Sequence, residues 1–206
     1  VATRVLSPYF GNTIFTVSSV ISVVLTALSI GYYFGGKLAD KFPTESAFYR
    51  IIFIGGLLAI LLHFFGAVFL PAFGYRLPLS YGPLISSILL FFAQNLLLGM
   101  LSPFAIKLQQ ARFENLGVGT VSGEIFFWST FGSIVGSLSS GFILIPNFGI
   151  DKIMISSGLL IILIGILMPA KISFTKKVFL MAILTIVGLI AMPQLSVSAN
   201  ALYDKD

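Results

Sequence analysis

The sequence predicts an all-α fold, a polytopic bundle of membrane-spanning helices, and three observations predict it. Of the 206 residues, 57% are hydrophobic and only 9% charged, against the roughly 25% charged that is usual for soluble domains. Mean hydropathy is +1.05. The apolar residues fall into six long uncharged runs, and the connectors between them hold Pro, Gly and the basic residues. So few charges cannot cover the surface of a water-soluble globule of this size, and the apolar side chains are expected to face lipid.

Residues 1–11 precede the first span and form a connector. The bundle covers 12–195, with spans at about 12–35, 51–70, 83–106, 123–145, 153–168 and 178–192, and 196–206 is a polar tail. Pro83 suits the first position of the third span, where its missing N–H has no helical partner. Breakers separate the runs: Pro43, the segment from Pro71 to Pro78, Pro103 ahead of Lys107, Pro146 with Gly149, Pro169, and Pro193 closing the sixth.

Alternating spans divide the connectors between two sides. Lys37, Lys41, Arg50, Lys107, Arg112, Lys171, Lys176 and Lys177 fall on one; Arg4, Arg76, Lys152 and Lys205 on the other. The richer side reads as cytoplasmic, which puts the C-terminus outside the cytoplasm, as in a prokaryotic cytoplasmic membrane. The net charge of +5 is thus spread over connectors as a topology signal and forms no nucleic-acid stripe. With no Cys and a single His, disulfides, thiolate metal sites and multi-histidine sites are excluded, and no metal or cofactor is expected.

Helices in lipid associate through small residues and interhelical hydrogen bonds. The fourth span carries Gly132 and Gly136 as GxxxG beside Ser129, Ser133, Ser137 and Gly141; the first carries Gly31 and Gly35 with Ser19, Ser22, Thr26 and Ser29. These two spans are expected to be the buried ones, their hydroxyls bonded to their own i−4 carbonyls.

Few polar residues fall within the spans. At 1.5 Å per residue from Arg50 and Lys107, His63 and Gln94 each lie roughly 20 Å from the inner face, near the bilayer middle and within reach of each other. With no carboxylate expected at its depth, His63 reads as a neutral imidazole. Gln94 and Asn95 point to different faces. Glu124, placed in the first turn of the fourth span, suits the helix dipole, with cation binding or proton coupling as its functional reading. Glu124, His63 and Gln94 are the candidate substrate or ion residues. No catalytic apparatus is legible. The Ser-Gly pairs lack a nearby base, Asp40, Asp151, Asp204 and Asp206 fall outside the spans, and the glycine pairs follow no strand.

The connector after the first span reads GYYFGGKLADKFP, and its GGKLADK core resembles the GxLADRxGR loop of major facilitator transporters. Gly36, Leu38, Ala39, Asp40 and Lys41 match, while Pro43 replaces the next glycine and the last Arg is lacking. The resemblance implies a major-facilitator-like half and a loop in which Gly36, Asp40 and Lys41 stabilise one gating conformation. Over nearly the whole chain, RVLSPYFGNTIFTVSSVISVVLTALSIGYYFGGKLAD, GMLSPFAIKL and GTVSGEIFFWSTFGSIVGSLSSGFILIPNFGI resemble the membrane domain of the fused spermidine synthase-like proteins. That resemblance implies a seven-helix domain whose first helix precedes Val1, with an aminopropyltransferase domain following near Asp206. It transfers no synthase activity, because no residue binding decarboxylated S-adenosylmethionine or putrescine lies in this stretch. A C-terminus outside the cytoplasm would also separate such a domain from its cofactor.

Lys176 and Lys177, the run 178–192 and Val197 to Ala199 also match the three regions of a signal peptide, a pattern shared by an ordinary outward helix. The function expected first is a non-enzymatic membrane module: an anchor, scaffold or subunit whose partners are the lipid bilayer and other membrane subunits or an attached soluble domain. The alternatives are a facilitator-like transport module for a small or cationic metabolite such as a polyamine, and a truncated aminopropyltransferase.

Overall fold

The computed structural model describes residues 1–113 and 115–168, and these are helical with no strand. A short helix α1 (Ala2–Phe10) ends at Gly11, whose φ of +69° is the left-handed conformation that glycine adopts without strain. Then come α2 (Ile14–Lys41) and α3 (Glu45–Phe73), started by Thr13 and Thr44, whose hydroxyls accept from the backbone N–H three residues on. The third span is a segmented helix: α4 (Gly82–Ser87), a π turn over Ile88–Phe92, α5 (Ala93–Gly99) and α6 (Leu101–Arg112). The fourth is α7 (Val118–Ser139), a π turn over Ser140–Leu144 and α8 (Ile145–Phe148); α9 (Ile150–Leu167) follows.

Five of these helical stretches are long and apolar enough to cross a membrane, namely Ile14–Lys41, Glu45–Arg76, Gly82–Arg112, Val118–Phe148 and Ile150–Leu167. Phe, Leu, Ile and Val side chains stand exposed along them, as a multi-pass membrane protein requires. The sixth run (178–192), Lys171, Lys176 and Lys177 ahead of it, and residues 196–206 lie outside the described residues.

The bundle is built by pairs of helices whose backbones touch. Between α2 and the third span, a Cβ added at Gly31 would collide with the Leu96 carbonyl oxygen, and one at Gly35 would lie 2.5 Å from Met100 Cα. Between α3 and α9, the most extensive helix pair, a Cβ at Gly56 would lie 2.8 Å from the Ile162 nitrogen, and one at Gly165 2.8 Å from the Phe53 nitrogen. Real side chains do not approach that closely, so these positions accept only glycine. Two apolar clusters fill the ends: Leu6, Phe10, Val20, Leu70, Leu90 and Phe91 at one, Ala39, Ile51, Met100 and Phe104 at the other.

Two expectations need correction here. Within the described residues α7 is not a buried helix. Val121 is its one buried residue, and a Cβ added at Gly132, Gly136 or Gly141 would meet nothing within 4 Å. Its GxxxG motif therefore packs no neighbour of this group, Ser133 Oγ simply donates to the Ser129 carbonyl at 2.9 Å, and Ser137 is exposed. Small residues permit close approach but do not supply the partner. The packing role falls instead to glycines of the second, third and fifth spans.

The segment carrying Gly36, Asp40 and Lys41 is likewise no loop. Helix α2 continues through it to Lys41, because nothing before Pro43 disfavours helix; Pro43 then pushes Phe42 out of the helical region. Asp40 pairs from this last turn with Lys107 of α6 at 2.8 Å, both exposed. Gly36 lies 4.0 Å, by its added Cβ, from Pro103.

Gly35→Val should therefore lower stability by roughly 1–3 kcal/mol, whereas Gly136→Val should leave it unchanged. Thermal unfolding of the purified chain in mild detergent measures both. Equal losses would contradict this arrangement of α2 and α7.

Candidate functional site

His63 lies four residues past Ala59, the midpoint of α3, or about 6 Å along the axis. It is thus well inside a helix that can cross a membrane. Its side chain is only 9% exposed, and its Nε2 lies 3.6 Å from Asp151 Oδ1. That separation is within ion-pair range but too long for a hydrogen bond, so both atoms keep hydrogen-bonding capacity. The sequence placed Asp151 in a connector at the membrane edge and left His63 without a carboxylate. The structure corrects this. Gly149, at φ +75°, turns the chain sharply from α8 into α9, and Asp151 enters the first turn of α9. Because α9 runs antiparallel on α3 through the Gly56, Gly158 and Gly165 contacts, that first turn arrives near the level of His63, under about three turns from the end of α3.

The pair lines a cavity of about 290 Å³ walled by α1, α3, the third span and α9. Its apolar wall includes Leu62, Leu70, Leu90 and Phe91; its polar groups are Arg4, Tyr9, His63, Gln94 and Asp151. Gln94 shares the cavity with His63 as its depth suggested, without a hydrogen bond between them. The π turn just before Ala93 sets its angle, since one widened turn rotates every later side chain about the helix axis. Asn95 faces elsewhere and donates to its own Phe91 carbonyl at 2.8 Å.

Burial raises the pKa of the Tyr9 phenol above its ordinary value, with Tyr75 and Asp151 adding to the effect, so Tyr9 stays a neutral donor near pH 7. Two prolines, Pro8 and Pro71, sit inside helices on the wall. Each lacks an N–H, so the carbonyls of Arg4 and Ala67, four residues earlier and on the same wall, lose their usual helical donors.

Glu124 takes no part in this site. Helix α7 starts at Val118, earlier than the sequence suggested, so Glu124 is its seventh residue and not a first-turn acid. It is exposed and forms no ion pair or hydrogen bond among the described residues. Of the three candidate residues, His63 and Gln94 come together and Glu124 stands apart. Sequence reading missed Arg4, Tyr9 and Asp151. Arg4 counted only as a topology charge, and the signal for Asp151 was its place two residues after a turn-forming glycine.

A second, more apolar space of about 230 Å³ lies between Ser22 and Thr26 of α2 and Leu84, Ile88 and Phe92. It holds no ionisable group. Among the described residues no group of three metal-ligating side chains occurs. Comparison with protein families, with curated proteins and with solved structures finds no match for this chain.

The chain has no cysteine, so single cysteines report accessibility directly. Asp151→Cys, at a position where the side chain is 52% exposed, should react with a water-soluble maleimide several-fold faster than His63→Cys at 9%. Equal rates would mean that the cavity does not shield its inner end.

Proposed function

We propose that this chain is an integral membrane module that binds a small polar metabolite in the His63–Asp151 cavity and passes it across the bilayer as a facilitator-like half. The observation that carries this reading is a largely buried imidazole, well inside a helix able to span a membrane, that faces a cavity with the exposed Asp151 carboxylate at its edge. Ionisable groups are expensive at that depth and are retained there chiefly for function. An anchor needs no such pair and no cavity. By the distribution of basic residues, the connectors that carry Arg4, Arg76 and Lys152 belong to the non-cytoplasmic side, and of these Arg4 lines the cavity. The exposed Asp40–Lys107 pair links α2 to α6 toward the opposite end of the same bundle, where a contact made in one conformation and broken in the other would bias the exchange.

The proposed kinship with the fused spermidine synthase-like proteins rests on a resemblance of the motifs around RVLSPYFG, GYYFGGKLAD and GFILIPNFG alone. It supplies the major-facilitator-like element of the proposal and no enzymatic step.

A second reading, as scaffold or subunit, draws on α7. Among the described residues its Gly132, Gly136 and Ser137 row is open, and Phe126, Phe127, Trp128 and Phe131 stand exposed beside it. Such a helix face suits another membrane helix. Stoichiometric co-purification of a membrane subunit in mild detergent, lost on Gly136→Leu, would support this reading; a monodisperse monomer would count against it.

Vesicles containing the full chain should take up at least one member of a radiolabelled set of small amines, amino acids and carboxylates. Asp151→Asn and His63→Ala should each reduce that uptake about tenfold or more, while Glu124→Gln leaves it unchanged. Undiminished uptake in both cavity variants would remove the cavity from the mechanism.

A further inference from the structure

The cavity carries one full positive and one full negative charge that do not neutralise each other. Arg4 on α1 and Asp151 on α9, both exposed, line it, yet no Arg4–Asp151 ion pair forms, and among the described residues the ion-pair partner of the Asp151 carboxylate is the His63 imidazole at 3.6 Å. Arg4 has no carboxylate partner among the described residues. We propose that the ligand of this cavity is a small zwitterion with an apolar side chain, of amino-acid size, held at its carboxylate by Arg4 and at its ammonium by Asp151. This rests on the reading of the cavity as a ligand site and narrows it to one chemical class.

Charge balance decides among the classes. A polyamine would bring two or more positive charges to a single carboxylate and would be repelled by Arg4; a dicarboxylate would meet the reverse mismatch. A zwitterion offers an opposite charge to each of these two exposed groups at once and adds no net charge to the site. The guanidinium fork matches a carboxylate with two parallel hydrogen bonds. An ammonium has three donors, and the acceptors are at hand: the Asp151 carboxylate and the Ala67 carbonyl that Pro71 deprives of its helical donor. Leu90 and Phe91 offer an apolar wall for the side chain. The volume of about 290 Å³ is of the order found for small-molecule sites.

The test uses three probes of one skeleton on the purified full chain in detergent: L-leucine, isopentylamine, which lacks the carboxylate, and 4-methylpentanoate, which lacks the amine. The expected result is that L-leucine binds at least about tenfold more tightly than either fragment. Asp151→Asn should weaken L-leucine about tenfold or more without affecting 4-methylpentanoate, and Arg4→Gln should weaken L-leucine without affecting isopentylamine. Because the comparison of probes is made first on the unsubstituted chain, a variant that fails to fold does not blunt it. If a fragment binds as tightly as L-leucine and the binding is lost in Asp151→Asn or His63→Ala, the zwitterion proposal falls while the cavity remains a ligand site. If none of the three binds, or if binding ignores both cavity substitutions, the proposal and the ligand-site reading fall together.

Discussion

The arrangement depends on backbones being allowed to touch. In a lipid environment, apolar side chains gain nothing by leaving the solvent for one another, so helix association rests on close packing and hydrogen bonds. In this chain the closest approaches are made at Gly31 and Gly35 against Leu96 and Met100, and at Gly56, Gly158 and Gly165 between α3 and α9. The second set also sets register. Sliding α9 by one turn along α3 would drive Ile side chains into the glycine notches and carry Asp151 about 5 Å away from His63. The geometry of the polar pair is thus a consequence of where three glycines lie.

Around that pair the molecule concentrates features that a purely structural bundle has no reason to keep together. An imidazole, a carboxylate, an amide, a phenol and a guanidinium converge on one space, and two prolines release backbone carbonyls at its wall. The π turn over Ile88–Phe92 is a further departure from regular helix on the same wall, and such turns recur at functional positions. Each of these is unfavourable for packing alone. Their coincidence is the physical basis for treating the cavity as the working part of the molecule.

Helix α7 makes the opposite point. Its Gly and Ser rows look more like packing surface than any other stretch of the chain, yet they face open space among the described residues. The wide spread of Phe and Trp along α7 shows why composition alone misleads here: lipid and a neighbouring helix accept the same side chains, and a glycine row suits both a close contact and none.

The fold class, the five described spans and their approximate limits were legible in the sequence, because the need to satisfy backbone groups inside a bilayer leaves long apolar helices as the one answer for runs of this length. The end of α2 was drawn at Gly35 because the uncharged run stops before Lys37, although the helix itself continues to Lys41 with Gly35 packed against Met100. His63 and Gln94 were identifiable as exceptions within apolar runs. Arg4, Tyr9 and Asp151 were not, since each lies outside the spans as drawn from hydropathy, and only the antiparallel docking of α9 on α3, with the turn at Gly149, brings Asp151 to them. Composition and length therefore determined that this chain is a set of membrane-length helices. Which helices touch, and which charges meet, was decided by tertiary structure, because helix–helix contact depends on the relative rotation and sliding of elements far apart in the sequence, and no local pattern encodes either.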